Sequence, residues 1–129
     1  VAWAVLEALK ENPAQAAAHA TAFGGGFGRS FEEACGALSG GLIAIGHLHG
    51  RSAPQGDWDV PAKLGAKLRN RFVEDFGTTC CAKLRKDFGP ERQMRECRNL
   101  VHGVVVRLLE LLVDDIKNKI RRDEPVVTP

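Results

Sequence analysis

The sequence predicts an all-α, single-domain bundle of about six helices, and three observations carry that prediction. Apolar residues recur at helical spacing, as in Leu64, Leu68, Phe72 and Phe76. No segment sustains the apolar–polar alternation of a half-buried strand, and no two-residue hairpin turn separates β-branched runs. Gly and Pro interrupt the periodic segments where helices need to stop.

The first helix spans Val1 to Lys10, with Val1, Val5, Leu6 and Leu9 on one face, and ends at Asn12-Pro13. Pro13 suits the first turn of an alanine-rich second helix, Ala14 to Ala22, which the triple glycine Gly24 to Gly26 stops. Ser30 and Glu33 have capping-box spacing, so a third helix is expected from Ser30 to about His47, closed by Gly50. Within it Gly36 and Gly40 share a face, which predicts a close neighbouring backbone or a site there.

Arg51 to Trp58 reads as a loop. Asp59 is placed to cap a fourth helix with Pro61 in its first turn, a stripe at Leu64, Leu68, Phe72 and Phe76, and Gly77 as its stop. Thr79 is placed to cap a short fifth helix that holds Cys80, Cys81 and Leu84 and stops at Gly89-Pro90. The last helix runs from about Pro90 to Arg121, with a seam of Cys97, Val101, Val104 and Val105, Leu108, Leu112, Ile116 and Ile120. Residues 1–122 thus form one domain, and Asp123 to Pro129 a tail.

Composition bounds the function. With 129 residues, 44% hydrophobic and 26% charged, the chain is sized and balanced for one globular domain and is not a disordered tail. Its 6 Phe, 2 Trp and no Tyr leave a core of mostly Leu, Val, Ile and Ala. A net charge of +2 gives no electrostatic case for a nucleic-acid partner. No apolar run reaches the ~18 residues that span a bilayer, so no membrane span is expected. The chain starts at Val1 instead of Met, which points to a trimmed product or a fragment. A cytoplasmic location is the first expectation, and a periplasmic one the alternative if a signal peptide has been removed.

The chemistry centres on cysteine, since thiolates are nucleophiles, redox centres and soft metal ligands. Cys35 falls in the first turns of the third helix, where the helix dipole favours a thiolate. Cys81 lies on the fifth helix and Cys97 on the apolar seam of the sixth, so three thiols from three helices could meet in a bundle. Cys80 and Cys81 are ~100° apart on a helix and do not face one point together. Free Cys also serves as a small buried hydrophobe, and no Cys-x-x-Cys pair supports zinc or a thioredoxin-like dithiol. Spacing alone leaves a shared cysteine site and a plain core evenly matched.

Other motifs carry less. The run Gly24 to Gly28 has no preceding strand and no following Gly-Lys-Ser/Thr, so it is not a phosphate loop. His47 and His49 are two apart and do not share a helix face; His19 and His102 are single. No Cys-x-x-Cys-His exists, so no c-type haem is expected. No catalytic signature such as Gly-x-Ser-x-Gly or His-Glu-x-x-His is present, so enzyme status is left open, with an electron carrier or accessory subunit preferred.

The segment FGGGFGRSFEEACGALSGGLIAIGHLHG, then Phe76 to Leu84 (FGTTCCAKL), then Cys97 with Leu100-Val101, resembles the C-GCAxxG-C-C family of redox-active bacterial proteins. The likeness runs from Val1 to about Leu112. It matches Cys35, Cys81 and Cys97 to the family's central and two later cysteines, and leaves Cys80 without a regular counterpart. The family's first cysteine would fall near Val1, and this chain has none there. A related region of split-Soret cytochromes is associated with an iron–sulfur centre.

The resemblance therefore implies a redox or electron-transfer protein holding a small metal centre, an iron–sulfur cluster, at Cys35, Cys81 and Cys97, with Cys80 as a substitute ligand. Zinc or no metal is the alternative cofactor reading. Two other functions stay open: thiol–disulfide exchange between Cys35 and Cys81 or Cys97, and a helical accessory subunit that has lost its cofactor. The implied partner is a redox protein or a membrane electron-transfer complex, with a homo-oligomer as a further expectation.

Overall fold

The computed structural model describes residues 1–123. Among them are six α-helices and one 3-10 turn, with no strand or sheet. The helices are α1 (Ala2–Ala8), α2 (Ala14–Ala20), α3 (Gly36–His49), α4 (Asp59–Phe76), α5 (Cys81–Phe88) and α6 (Gln93–Asp123), with the 3-10 turn at Thr21–Phe23. The all-α bundle of six helices is as the sequence predicts. The tail lies outside the described residues except for Asp123, which ends α6.

α3 is the central helix and packs against α1, α2, α4 and α6. It can take that place because its faces are apolar or small nearly all round: Ala37, Leu38, Ser39, Gly40, Gly41, Ala44 and Ile45 are all buried. At Gly41 a Cβ would stand 2.8 Å from Leu68 Cδ2 of α4, so the absence of a side chain sets how closely α3 and α4 approach. The buried set is completed by Val5 and Leu6, by Leu64, Leu68 and Phe72, by Leu84, and by Leu100, Val104, Leu108 and Leu112. Burying each of these larger apolar side chains contributes about 1.5–3 kcal/mol before chain entropy is subtracted.

Several helix starts need correction: α4 begins at Asp59 itself with no side-chain cap, and α5 begins at Cys81, not capped by Thr79, which leaves Cys80 outside it. Ser30 does not start a helix: α3 begins six residues later, and residues 30–35 form an irregular arm. The reason lies just upstream, where Gly25, Gly26, Phe27, Gly28, Arg29 and Phe31 all have φ between 60° and 68°. This left-handed turn is open to glycine and costs a non-Gly residue about 1–2 kcal/mol, so the glycine block supplies the residues that permit it. The Ser30 hydroxyl is spent inside that turn, donating to the Gly26 carbonyl.

The α6 seam needs correction too. Leu100, not Val101, is its buried residue, and Val101 is 40% exposed. Ile116 and Ile120 are 47% and 58% exposed, because α6 outruns the buried core after Leu112.

Candidate functional site: three thiols around one apolar cavity

The arm 33–35 and the segment 79–81 lie side by side, antiparallel. The Cys35 amide donates to the Thr79 carbonyl at 2.8 Å and the Cys81 amide to the Glu33 carbonyl at 2.8 Å, flanking an isolated bridge between Ala34 and Cys80. This short pairing ties the start of α3 to the start of α5. Cys35 and Cys81 are thereby carried by adjacent backbones despite their separation in sequence. α6 packs on α5 and brings Cys97 to the same place.

Cys35, Cys81 and Cys97 line one cavity of about 320 Å³, together with Val1, Phe31, Arg85 and the backbone of Gly24 to Gly26. Cys80 does not line it. The Cys80 thiol donates to the Glu32 carbonyl at 3.5 Å, and its amide donates to Thr78 Oγ1 at 3.1 Å. All four cysteines are free thiols and none is fully buried. Neither His47 nor His49 lines the cavity.

The glycine block forms the floor. A Cβ on Gly26 would stand 2.7 Å from Cys81 Cβ, and one on Gly36 would stand 3.1 Å from both Gly24 Cα and the Phe23 carbonyl oxygen. The close approach expected on the face of Gly36 is therefore made by backbone. Gly40 is ordinary by comparison, 3.5 Å from Val1 Cβ.

The electrostatics reverse one expectation. The Cys35 thiol is pushed above the ordinary thiol range, chiefly by burial, although the Ala37 and Leu38 amides at the start of α3 pull the other way. Desolvation of a thiolate in an apolar cavity outweighs the pull of a helix N-terminus. Burial also raises Cys81 and Cys97, and Cys35 and Cys97 each disfavour charge on Cys81. Arg85 opposes this at both Cys81 and Cys97. Three thiols in one cavity thus favour the neutral form together, and the first negative charge placed there hinders the next.

Arg85 was missed in the sequence, although it stands four residues after Cys81 and so on the same face of α5. Its guanidinium carbon lies 3.8 Å from the Phe31 ring centroid, and its buried Nε has no hydrogen-bond partner among the described residues. Phe31 reaches that position because the left-handed turn throws the arm back over α5.

In donor chemistry the cavity suits a thiophilic centre: three soft ligands, apolar walls and one cation to offset negative charge. Among the described residues, however, no group of three or more His, Cys, Asp or Glu side chains is gathered to hold a metal ion. The thiols stand around a space instead of converging on a point, and they number one fewer than the four thiolates of a fully cysteine-bound cluster.

A family model described as "Putative redox-active protein (C_GCAxxG_C_C)" matches residues 1–111. That span holds all four cysteines and the whole cavity lining. No curated protein and no solved structure matches the chain.

Proposed function

Since the chain belongs to the C_GCAxxG_C_C family, we propose that it is an electron-transfer protein whose cavity holds a small iron–sulfur centre through Cys35, Cys81 and Cys97. One observation supports this above the rest: three thiols from three separate elements line the same apolar cavity, and the adjacent Cys80 does not. Bound there, such a centre would supply one-electron transfer. The chain's own residues would provide thiolate ligands, exclude water with Phe31, Phe88 and Leu100, and offset negative charge with Arg85. The fourth ligand would come from outside these three cysteines. No membrane-crossing helix is present among the described residues, so any membrane electron-transfer complex would be a docking partner.

A second reading, thiol–disulfide exchange, is favoured by the backbone pairing that holds Cys35 and Cys81 on neighbouring segments. Two thiols would become one disulfide while two electrons and two protons pass to a disulfide of the partner protein. Iron and acid-labile sulfide, measured on protein purified without oxygen, separate the readings. Brown protein carrying both supports the iron–sulfur centre. Colourless protein with neither, in which Cys35 and Cys81 form a reversible disulfide, replaces it with the dithiol.

A further inference from the structure

We propose that the C-terminal half of α6 is a self-association surface, on which two copies of this chain pair antiparallel. The inference is independent of the sulfur cavity and of what that cavity holds.

Val106, Leu109, Val113, Ile116 and Ile120 follow alternating spacings of three and four, the a/d pattern of a two-helix seam. Four of them are strongly exposed for aliphatic side chains: Val106 41%, Val113 39%, Ile116 47% and Ile120 58%. At 100° per residue, this stripe is centred about 140° round the helix from the buried stripe Leu100, Val104, Leu108 and Leu112. It is a second apolar face that meets the core only at Leu109, while its other four members are exposed. Val106, Leu109 and Val113 line an open groove edged by Glu110, Asp114 and Lys117.

The flanking charges select a second copy and an orientation. Glu110 and Lys117 both occupy the e position of the seam. With Val113 of one copy opposite Ile116 of the other, Leu109 meets Ile120, and the e positions of the two helices face each other. Each Glu110 then stands beside Lys117 of the second copy, twice by symmetry. A parallel pair would set e against g, where Val105 and Leu112 offer no charge to match. Glu110 is already oriented along the helix by Arg107, 3.6 Å away. The seam covers about two heptads, so the dimer is weak and depends on concentration.

The test is sedimentation equilibrium of the full chain under reducing conditions, which removes disulfide-linked dimers. We expect the mass to rise with concentration from the 14.0 kDa monomer towards twice that value. Val113→Asp should hold the chain monomeric with its helical circular dichroism unchanged, since Val113 is outside the core. Glu110→Lys should weaken the dimer roughly tenfold by setting like charges together, and adding Lys117→Glu should restore it. A chain that stays monomeric at every concentration overturns the proposal, as does one that dimerises only after residues 124–129 are removed. Failure of the double charge reversal to restore the dimer overturns the antiparallel pairing.

Discussion

Gly26 and Cys81 meet where no side chain fits between them: a Cβ on Gly26 would lie 2.7 Å from Cys81 Cβ and 3.2 Å from its sulfur. Gly26 also has a φ of +64°, which disfavours any L side chain. Gly26→Ala should therefore lower stability by about 1–3 kcal/mol and displace Cys81 from the cavity. Thermal melting and the alkylation rate of Cys81 check it. An alanine variant that keeps both wild-type values would show that the turn has room to give.

Gly36 tests the other wall. Its neighbours are backbone atoms of residues 23 to 25, which cannot rotate away as a side chain can. Gly36→Ala should disturb the cavity and lower the melting temperature, whereas Cys35→Ser should lose redox or metal behaviour with helical content intact. If Cys35→Ser keeps full redox and metal behaviour, Cys35 is a core residue.

The raised thiols predict a pH dependence with a definite sign. A thiol whose folded pKa exceeds its unfolded value favours the fold while protonated, so this stabilisation is complete below the ordinary thiol pKa of about 8.5 and is lost as pH rises past it. Stability of the reduced, metal-free protein should fall above that pH, and serine at position 35 should blunt the fall. Below it, alkylation of Cys35 in the folded protein should be slower than in denaturant. Equal rates in the two states would contradict the burial that raises it.

Arg85 should set the balance at two of the thiols. Its positive charge favours the thiolate at both Cys81 and Cys97, against the burial that disfavours it. Arg85→Leu should raise both thiols further and slow their alkylation at pH 8, while Arg85→Lys retains part of the effect. Rates unchanged in Arg85→Leu would remove Arg85 from the site.

The helices were legible because their stripes and stops are local: Gly77 ends α4 with a φ of +83°, and Gly89 ends α5, both where the pattern placed them. The arm from Ser30 was not legible. A capping-box spacing competes there with a left-handed turn, and the turn prevails because its own backbone hydrogen bonds hold it and the arm that leaves it at residues 33–35 pairs with residues 79–81. The outer face of α6 was misread for a related reason. Ile116 and Ile120 keep the period of the core seam, but the bundle has ended beneath them, and periodicity carries no information about where a neighbouring helix stops. Of the site, spacing could show only that Cys35, Cys81 and Cys97 lie on separate elements. Their order within the family motif singled them out, and the backbone pairing that joins the arm to α5 has no signature in sequence.

The shared sulfur site is tested most directly by iron and sulfide content across four single variants, Cys35→Ser, Cys80→Ser, Cys81→Ser and Cys97→Ser, each purified without oxygen beside the unaltered chain. The account predicts iron and sulfide in the unaltered chain, retention in Cys80→Ser, and loss of most of both in the other three. Loss confined to Cys80→Ser, or equal content in all four variants, would contradict it.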